Sequence, residues 1–294
     1  MYKTNISFAG AGKVAEALCK ELFHAGFIID IVASETELNG RTLSESCNAI
    51  WSSDLIFPDS TKIIIVAVPD HRLKSVLETL KCAPGTLVVH TAGSFGLEIF
   101  PVQIKQNGIF YPLQTFSKNR KISFIDLPFL LESSSEESSA ILKNMAESIG
   151  GKVHFVDTEK RRMLHLAAVF VCNFTNHMLT MGKDIALKAG FSFEILAPLI
   201  QETILKAMDS GPEMSQTGPA IRHDQNTIEK HLELLSFSSE LQKIYTEMTQ
   251  SIIEYYNTKD KRKEMDTRSS THDEGKKNRT PHTASRTPGR NKDR

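Results

Sequence analysis

The chain has 294 residues, 40% of them hydrophobic and 24% charged, with Lys+Arg and Asp+Glu both totalling 35. With its glycines added, the apolar share approaches the roughly 45–50% of globular chains. That composition can bury a core, and it argues against an acidic disordered chain and a wholly basic nucleic-acid binder.

In chain order, residues 6–9 form a short β-rich run that leads into Gly10-Ala11-Gly12-Lys13-Val14-Ala15 and then a helical stretch over 14–24. Strand, GxGxxA and helix in that order point to a dinucleotide loop. Gly10 permits the tight turn, Gly12 lets the backbone approach a pyrophosphate, and Ala15 allows close helix–strand packing. The helix N-terminus adds free N–H groups and a positive dipole end. A glycine turn without a ligand is the alternative.

Ile28–Ala33 reads as the second strand, followed by Ser34-Glu35. Asp30 lies too early to meet a ribose. Ser34 is small, as NADP sites often require, and Arg41 is the guanidinium within reach of a 2′-phosphate, opposed by Glu35. NADP is slightly favoured over NAD. Residues 63–68 form a continuous apolar strand of the kind buried on both faces of a parallel sheet. Val68, Pro69 and Asp70 fall at its carboxyl edge, where ligands bind. They either touch the cofactor or start and cap the next helix, 73–80, and the two roles are compatible.

The strand over 87–91 ends in His90-Thr91-Ala92-Gly93-Ser94. Polar side chains at a strand tip, beside a glycine that can turn N–H groups outward, suit a ligand. A polar loop with Ser94 capping a turn is the other account. After a short strand at 109–111, Gln114 is placed to hydrogen-bond a cofactor amide or a substrate, unless this is simply an exit loop. Strands over 129–132 and 153–156 complete an alternating pattern that implies a doubly wound parallel sheet.

From about residue 159 the pattern becomes helical: 160–189, broken by Gly190; 193–210, stopped by Gly211-Pro212; 226–235; and 238–256. The first of these carries His165, Asn173, Asn176 and His177 in a stretch that is apolar nearly all round and is expected to be buried. A straight helix brings His165 nearly into phase with Asn176 and sets Asn173 and His177 a turn apart on a neighbouring face. His165 is either an acid–base group or a satisfied core histidine. Between two of the helices, Gly218-Pro219 fixes a turn, Asp224 can cap the next helix, and Arg222 is available for an anion.

No apolar run approaches the roughly 18 residues of a membrane span, and the start of the chain has no signal-peptide pattern. Cys19, Cys47, Cys82 and Cys172 are widely spaced, which predicts reduced thiols in a cytoplasmic protein with no metal site. The zero formal charge hides an asymmetry. Residues 258–294 hold 12 Lys/Arg and 6 Asp/Glu and no Leu, Ile, Val, Phe, Tyr or Trp. This reads as a disordered basic tail, a solubilising extension or a weak contact for RNA or an acidic surface.

Taken together, GAGKVA (10–15), AVPD (67–70), HTAG (90–93), YPLQTFS (111–117), HLAAVFVCNF (165–174), TGPAIRHD (217–224) and HLELL (231–235) resemble the Rossmann-like proteins that carry the C-terminal domain of unknown function 2520. The resemblance covers roughly residues 5–255. That family is similar to pyrroline-5-carboxylate reductases, deazaflavin-dependent NADP oxidoreductases and hydroxyacid dehydrogenases, and its members are commonly labelled as candidate NADP oxidoreductases.

The resemblance implies an NAD(P)-binding domain over 1–157 and an all-α domain over 158–257 like the C-terminal domain of 6-phosphogluconate dehydrogenase, with a family boundary near 130. Such helical domains usually dimerise, so a homodimer is expected, with a small-molecule substrate and no membrane or nucleic-acid partner. Gly10, Ala11, Gly12, Lys13 and Val14 match the phosphate loop. His90, Ser94, Gln114, His165, Asn173 and Arg222 match polar motifs around the interdomain cleft. In the resulting scheme Ser34, Val68, Pro69, Asp70 and His90 contact the cofactor, His165 and Asn173 are catalytic, and Ser94, Gln114 and Arg222 meet the substrate.

Two departures stand out. Many relatives have Arg-Gly-Asp where this chain has Arg222-His223-Asp224, and NADP-binding relatives often have Ser-Arg where it has Ser34-Glu35. The Lys-xxx-Asn pair of hydroxyacid dehydrogenases is missing from the long helix, and no dedicated deazaflavin motif is present. The expected activity is hydride transfer to or from a small carbonyl, imine or hydroxy compound. A non-catalytic dinucleotide sensor and a structural dimer module are the alternatives.

Overall fold

A computed structural model describes residues 4–118 and 120–277. The chain forms two compact units, residues 1–178 and 179–294. The first contains β1 (Asn5–Ala9), α1 (Lys13–His24), β2 (Ile28–Ala33), α2 (Glu37–Ser46), β3 (Ile50–Ser52), β4 (Ile63–Val66), α3 (Asp70–Thr79), β5 (Leu87–His90), β6 (Asn107–Pro112), β7 (Pro128–Ser133), α4 (Glu136–Ser148), β8 (Lys152–Phe155) and α5 (Thr158–Ala168). A π-helical segment, Val169–Phe174, and α6 (Thr175–Lys188) follow. The second unit continues with α7 (Ala197–Ser210), α8 (Pro212–Ser215), α9 (Gln225–Leu234) and α10 (Ser239–Lys277).

The eight strands form one sheet in the order β3-β2-β1-β4-β5-β6-β7-β8. The alternation along the chain dictates this doubly wound arrangement, because each helix returns the chain to start a strand parallel to the last. Ile6, Phe8, Ile63, Ile65 and Val89 pack beneath Leu18 and Leu22 of α1 and Leu142 and Met145 of α4. Ile64, Val66 and Val88 face Leu73 and Leu77 of α3. Burial on both faces explains why β4 is an uninterrupted apolar run.

The expectation of a wholly parallel sheet needs one correction: β7 runs antiparallel to β6, with Phe110 opposite Leu131. The connection over 113–127 contains no helix among its described residues, so no crossover carries the chain back, and it returns directly. β8 then lies parallel to β7, reached through α4.

Two polar networks tie the unit together. Asp30 accepts from Asn5 Nδ2 at 2.7 Å, Thr61 Oγ1 at 2.8 Å and Ser60 Oγ at 3.1 Å, so its role is to join strand ends. Arg161 of α5 is wholly buried. Its guanidinium pairs with Glu132 of β7 and donates to Phe95 O at 2.6 Å, which pins α5 to the sheet. That docking is why the first compact unit continues beyond β8 and takes in α5.

The helix after residue 160 also departs from expectation. It is not one regular helix, and it is not buried: Leu166, Phe170, Val171 and Phe174 are 48–74% exposed. The π segment places about one extra residue in its turns. It therefore shifts the phase of Asn173 and Asn176 relative to His165, and the alignment drawn on a straight helix does not hold. Among the described residues α6 and α7 bury no side chain. Helix α10 runs on past Thr258 to Lys277, through the first part of the basic tail, while residues 278–294 lie outside the described residues. No helix of the described residues is long and apolar enough to cross a membrane.

Candidate functional site

Strands β1 to β6 are mutually parallel, so their carboxyl ends share one edge. The strand order reverses at β1, whose neighbours are β2 and β4. In open α/β sheets the crevice outside that reversal is the ligand site. The glycine loop sits there. Gly10 has φ +113°, and a Cβ on it would lie 2.3 Å from Ala67 O, the first residue after β4. The close approach of β1 to β4 therefore demands glycine. Gly12 is different: a Cβ there would meet nothing within 4 Å.

Gly12 is the N-cap of α1, with extended backbone and no side-chain cap. The first turn of α1, with Lys13 exposed and Val14 half-buried, thus begins beside free space at the positive end of the helix dipole. Ala11 and Val14 pack on the core beneath. The cradle that a Cβ would fill, with uncapped donors around it, fits a pyrophosphate.

Ser34, at the end of β2, donates to Thr36 O at 3.0 Å and accepts from Trp51 Nε1 at 3.3 Å. On the other side of the reversal, Val68 packs on the core while Pro69 and Asp70 are exposed at the start of α3. Asp70 opens the helix as its first residue, its N-cap being Pro69. Its carboxylate accepts a hydrogen bond from Ser94, so Ser94 faces Asp70 rather than capping its own turn.

His90 does not reach the crevice. Its side chain is fully buried and stacked on Phe100 with ring centroids 5.3 Å apart, and Nδ1 accepts from Ala92 N at 3.2 Å. This corrects its assignment as a cofactor contact: a histidine ending a strand can point into the sheet's helical cover as readily as toward the edge. Burial, and then the neighbouring Arg161 charge, push its pKa down to about 3. A depressed histidine contributes stability that is complete above its unfolded pKa of about 6.5 and lost as pH falls toward 3. Unfolding free energy should drop between pH 6.5 and 4.5, before carboxylates titrate, with a slope approaching about 1.4 kcal/mol per pH unit. Denaturant titrations should show that slope in the wild type and a flat profile in His90→Gln.

His165 does reach the edge. It is half-buried on α5, and its Nδ1 lies 3.0 Å from the hydroxyl of Tyr111, which β6 brings to the same place. The rings meet edge-on at 5.8 Å. Gly93 makes room for both, since a Cβ on it would sit 2.7 Å from His165 Nδ1 and 3.0 Å from Tyr111 Cζ. Burial, and then the charge of Asp70, raise the Tyr111 pKa. The phenol therefore keeps its proton and can donate it to Nδ1.

Asp70, Ser94, Tyr111 and His165 thus form one cluster, carried by α3, the β5 exit, β6 and α5. Sequence reading quotes Tyr111 within a motif and misses its role. The signal was its position at the carboxyl end of a strand, but its partner lies 54 residues away.

Gln114 and Asn173 form no hydrogen bond with this cluster among the described residues. Gln114 is exposed, and its Oε1 accepts from Thr115 N at 2.8 Å. Asn173 is exposed in the π segment. Arg222 is exposed in the second unit and forms no ion pair among the described residues. His223 beside it has φ +52°, the left-handed conformation glycine adopts without strain. The histidine has kept the turn that glycine would make, and Asp224 still caps α9 by accepting from Thr227 N at 3.1 Å.

Comparison with known proteins agrees with the fold. Residues 3–114 match the Rossmann-like domain, and residues 127–252 match the Domain of unknown function (DUF2520). A candidate NADP oxidoreductase from Bacteroides fragilis is 39% identical, with a TM-score of 0.79 over 86% of this chain and 98% of that chain. The chain belongs to the family of Rossmann-like proteins that carry this C-terminal domain.

A protein from Thermotoga maritima shares the fold at 23% identity and a TM-score of 0.65, over 86% of this chain and 99% of that chain. So does a reductive aminase from Aspergillus terreus, solved with NADPH and ethyl-5-oxohexanoate, at 14% identity and a TM-score of 0.62, over 86% and 99%. No curated protein matches the sequence.

Proposed function

We propose that this chain is an NAD(P)-dependent oxidoreductase, with NADP preferred, acting on a small carbonyl, imine or hydroxy compound. The observation that carries the reading is the open, uncapped α1 terminus at Gly12, placed on the same sheet edge as the Tyr111–His165 pair. The 39% identical Bacteroides protein bears an NADP oxidoreductase name, which supports the cofactor.

When bound, the cofactor supplies or accepts the hydride. The chain's own residues do the rest. Gly10, Ala11, Gly12, Lys13 and Val14 offer backbone donors to the pyrophosphate, and Val68, Pro69 and Asp70 form the facing wall. Tyr111 fixes the tautomer of His165, whose Nε2 proton is the one offered to a substrate oxygen or nitrogen, or recovered from it in the reverse direction. Asn173 is the polar group proposed to orient the substrate.

Calorimetric titration with NADPH and NADH tests the first half of this reading. The second half is tested by turnover against a panel of carbonyl and imine compounds. His165→Ala should lower turnover about 100-fold or more while leaving cofactor affinity within about threefold. Tyr111→Phe should lower it less and shift the pH profile. Tight binding with no turnover on any compound would instead favour a sensor.

The helical unit is proposed to pair with a second copy of the chain. Leu199, Ile204, Leu205 and Met208 of α7 are 50–83% exposed. Apolar exposure on this scale marks an interaction surface. Sedimentation equilibrium should give twice the 32.8 kDa chain mass, and a monomer would refute the pairing.

A further inference from the structure

Two guanidinium groups are tied to residues around the end of β2. Arg41 of α2 bonds Glu37 at 2.6 Å and lies 4.6 Å above the Trp51 ring. Arg72, on the first turn of α3, pairs with Glu35. The packing around Ser34 and Trp51 is close. A Cβ on Gly40 would lie 2.2 Å from Ser34 Oγ and 2.3 Å from Trp51 Cδ1, so α2 is pressed onto them.

An acid at this strand end takes ribose hydroxyls, whereas a nearby arginine accommodates a 2′-phosphate. Here both are present and bonded to each other. The two arginines are not equivalent. Arg41 would give up a carboxylate and hold an aromatic face while reaching for a new partner. Among the described residues the Arg72 side chain is bonded to Glu35 alone, and the pair is open to water, with side-chain exposures of 46% and 77%. An ion pair that exposed is weak. A phosphate carries more charge and more acceptor oxygens than a carboxylate, and a guanidinium can bind it through two donors. Arg72 also rises from the same connection as Val68, Pro69 and Asp70, the wall opposite the glycine loop.

We infer that Arg72 is the residue that reads the adenosine 2′-phosphate of NADP, exchanging the Glu35 carboxylate for the phosphate. The inference rests on the dinucleotide reading above. It answers the departure at Ser34-Glu35: the guanidinium missing after the second strand is supplied from α3. Glu35 sets the preference, since it competes with the phosphate for Arg72 and can accept from the 2′-hydroxyl of NAD.

The test is titration of the full-length chain with NADPH, NADH, 2′,5′-ADP and 5′-ADP. Arg72→Gln should weaken NADPH and 2′,5′-ADP by about tenfold or more, the worth of a charge-assisted hydrogen bond, and leave NADH and 5′-ADP within about threefold. Arg72→Lys should retain part of the affinity. Glu35→Gln should tighten NADPH while leaving NADH equal or weaker. Both side chains are exposed, so the variants should keep the wild-type melting temperature. If wild type binds both dinucleotides and Arg72→Gln changes neither, or weakens both alike, the assignment of Arg72 is overturned and the dinucleotide reading stands. If wild type binds none of the four, the dinucleotide reading is overturned, and Arg72 with it.

Discussion

Gly12→Asp should fold as well as the wild type and lose dinucleotide affinity by about 100-fold or more, because a like charge placed against a bound group costs several kcal/mol. The first half follows from the open space around Gly12, where a Cβ meets no atom within 4 Å, and from its extended backbone, which any residue can adopt. Aspartate is also a good N-cap and satisfies one of the free amides of α1. That same cap consumes a donor and sets a carboxylate where a pyrophosphate would lie.

Gly10→Ala is the contrasting variant. Its φ of +113° and the 2.3 Å approach to Ala67 O make any side chain strained. It should therefore lower the melting temperature as well as binding. Thermal melts beside calorimetric titrations separate the two. Full NADPH binding by Gly12→Asp would remove the loop from the site.

What the sequence discloses depends on how local each cause is. The turn at Gly10, the strand before it and the helix after it occupy neighbouring residues, so motif and periodicity suffice. β4 is legible because burial on both faces demands four apolar residues in a row. The reversal at β7 is harder to read. It follows from what the 113–127 connection lacks, and a missing helix leaves a fainter trace than a present one. The π segment, Val169–Phe174, contains no glycine or proline to mark it, and its phase shift undoes face assignments made across it.

The exposed apolar side chains around it mislead in another way. The pattern reports that they are to be covered, not by which surface. The Tyr111–His165 pair is invisible for a geometric reason. Tyr111 is legible near a strand end and His165 within a helix, but their meeting depends on where α5 crosses the sheet. His90 shows the reverse error: it is correctly placed at a strand end, yet nothing in the sequence tells which way it turns.

The crossing of α5 rests on Arg161, and this makes the largest stability prediction. Arg161 lies between Lys160 and Arg162, yet it has no exposed side-chain surface and its Nε has no partner among the described residues. Its charge is met by Glu132, by Phe95 O at 2.6 Å and by Thr158 Oγ1 at 3.3 Å, while Thr158 itself donates to Glu132 at 2.9 Å.

Glu132→Ala leaves a buried guanidinium facing two neutral oxygens and should destabilise by about 3–5 kcal/mol. Arg161→Met should be milder, because Glu132 is 19% exposed and can turn toward water. The double variant Glu132→Leu with Arg161→Met should recover much of the loss, since apolar replacement of a whole buried pair is often neutral or better. Urea titrations of these variants, together with Glu132→Leu alone, close the cycle. A Glu132→Ala loss below about 1 kcal/mol would mean that water or another group reaches Arg161. The double variant has a second use: if it folds stably but loses turnover, the ion pair positions His165, one helical turn farther along α5, at the distance Tyr111 requires.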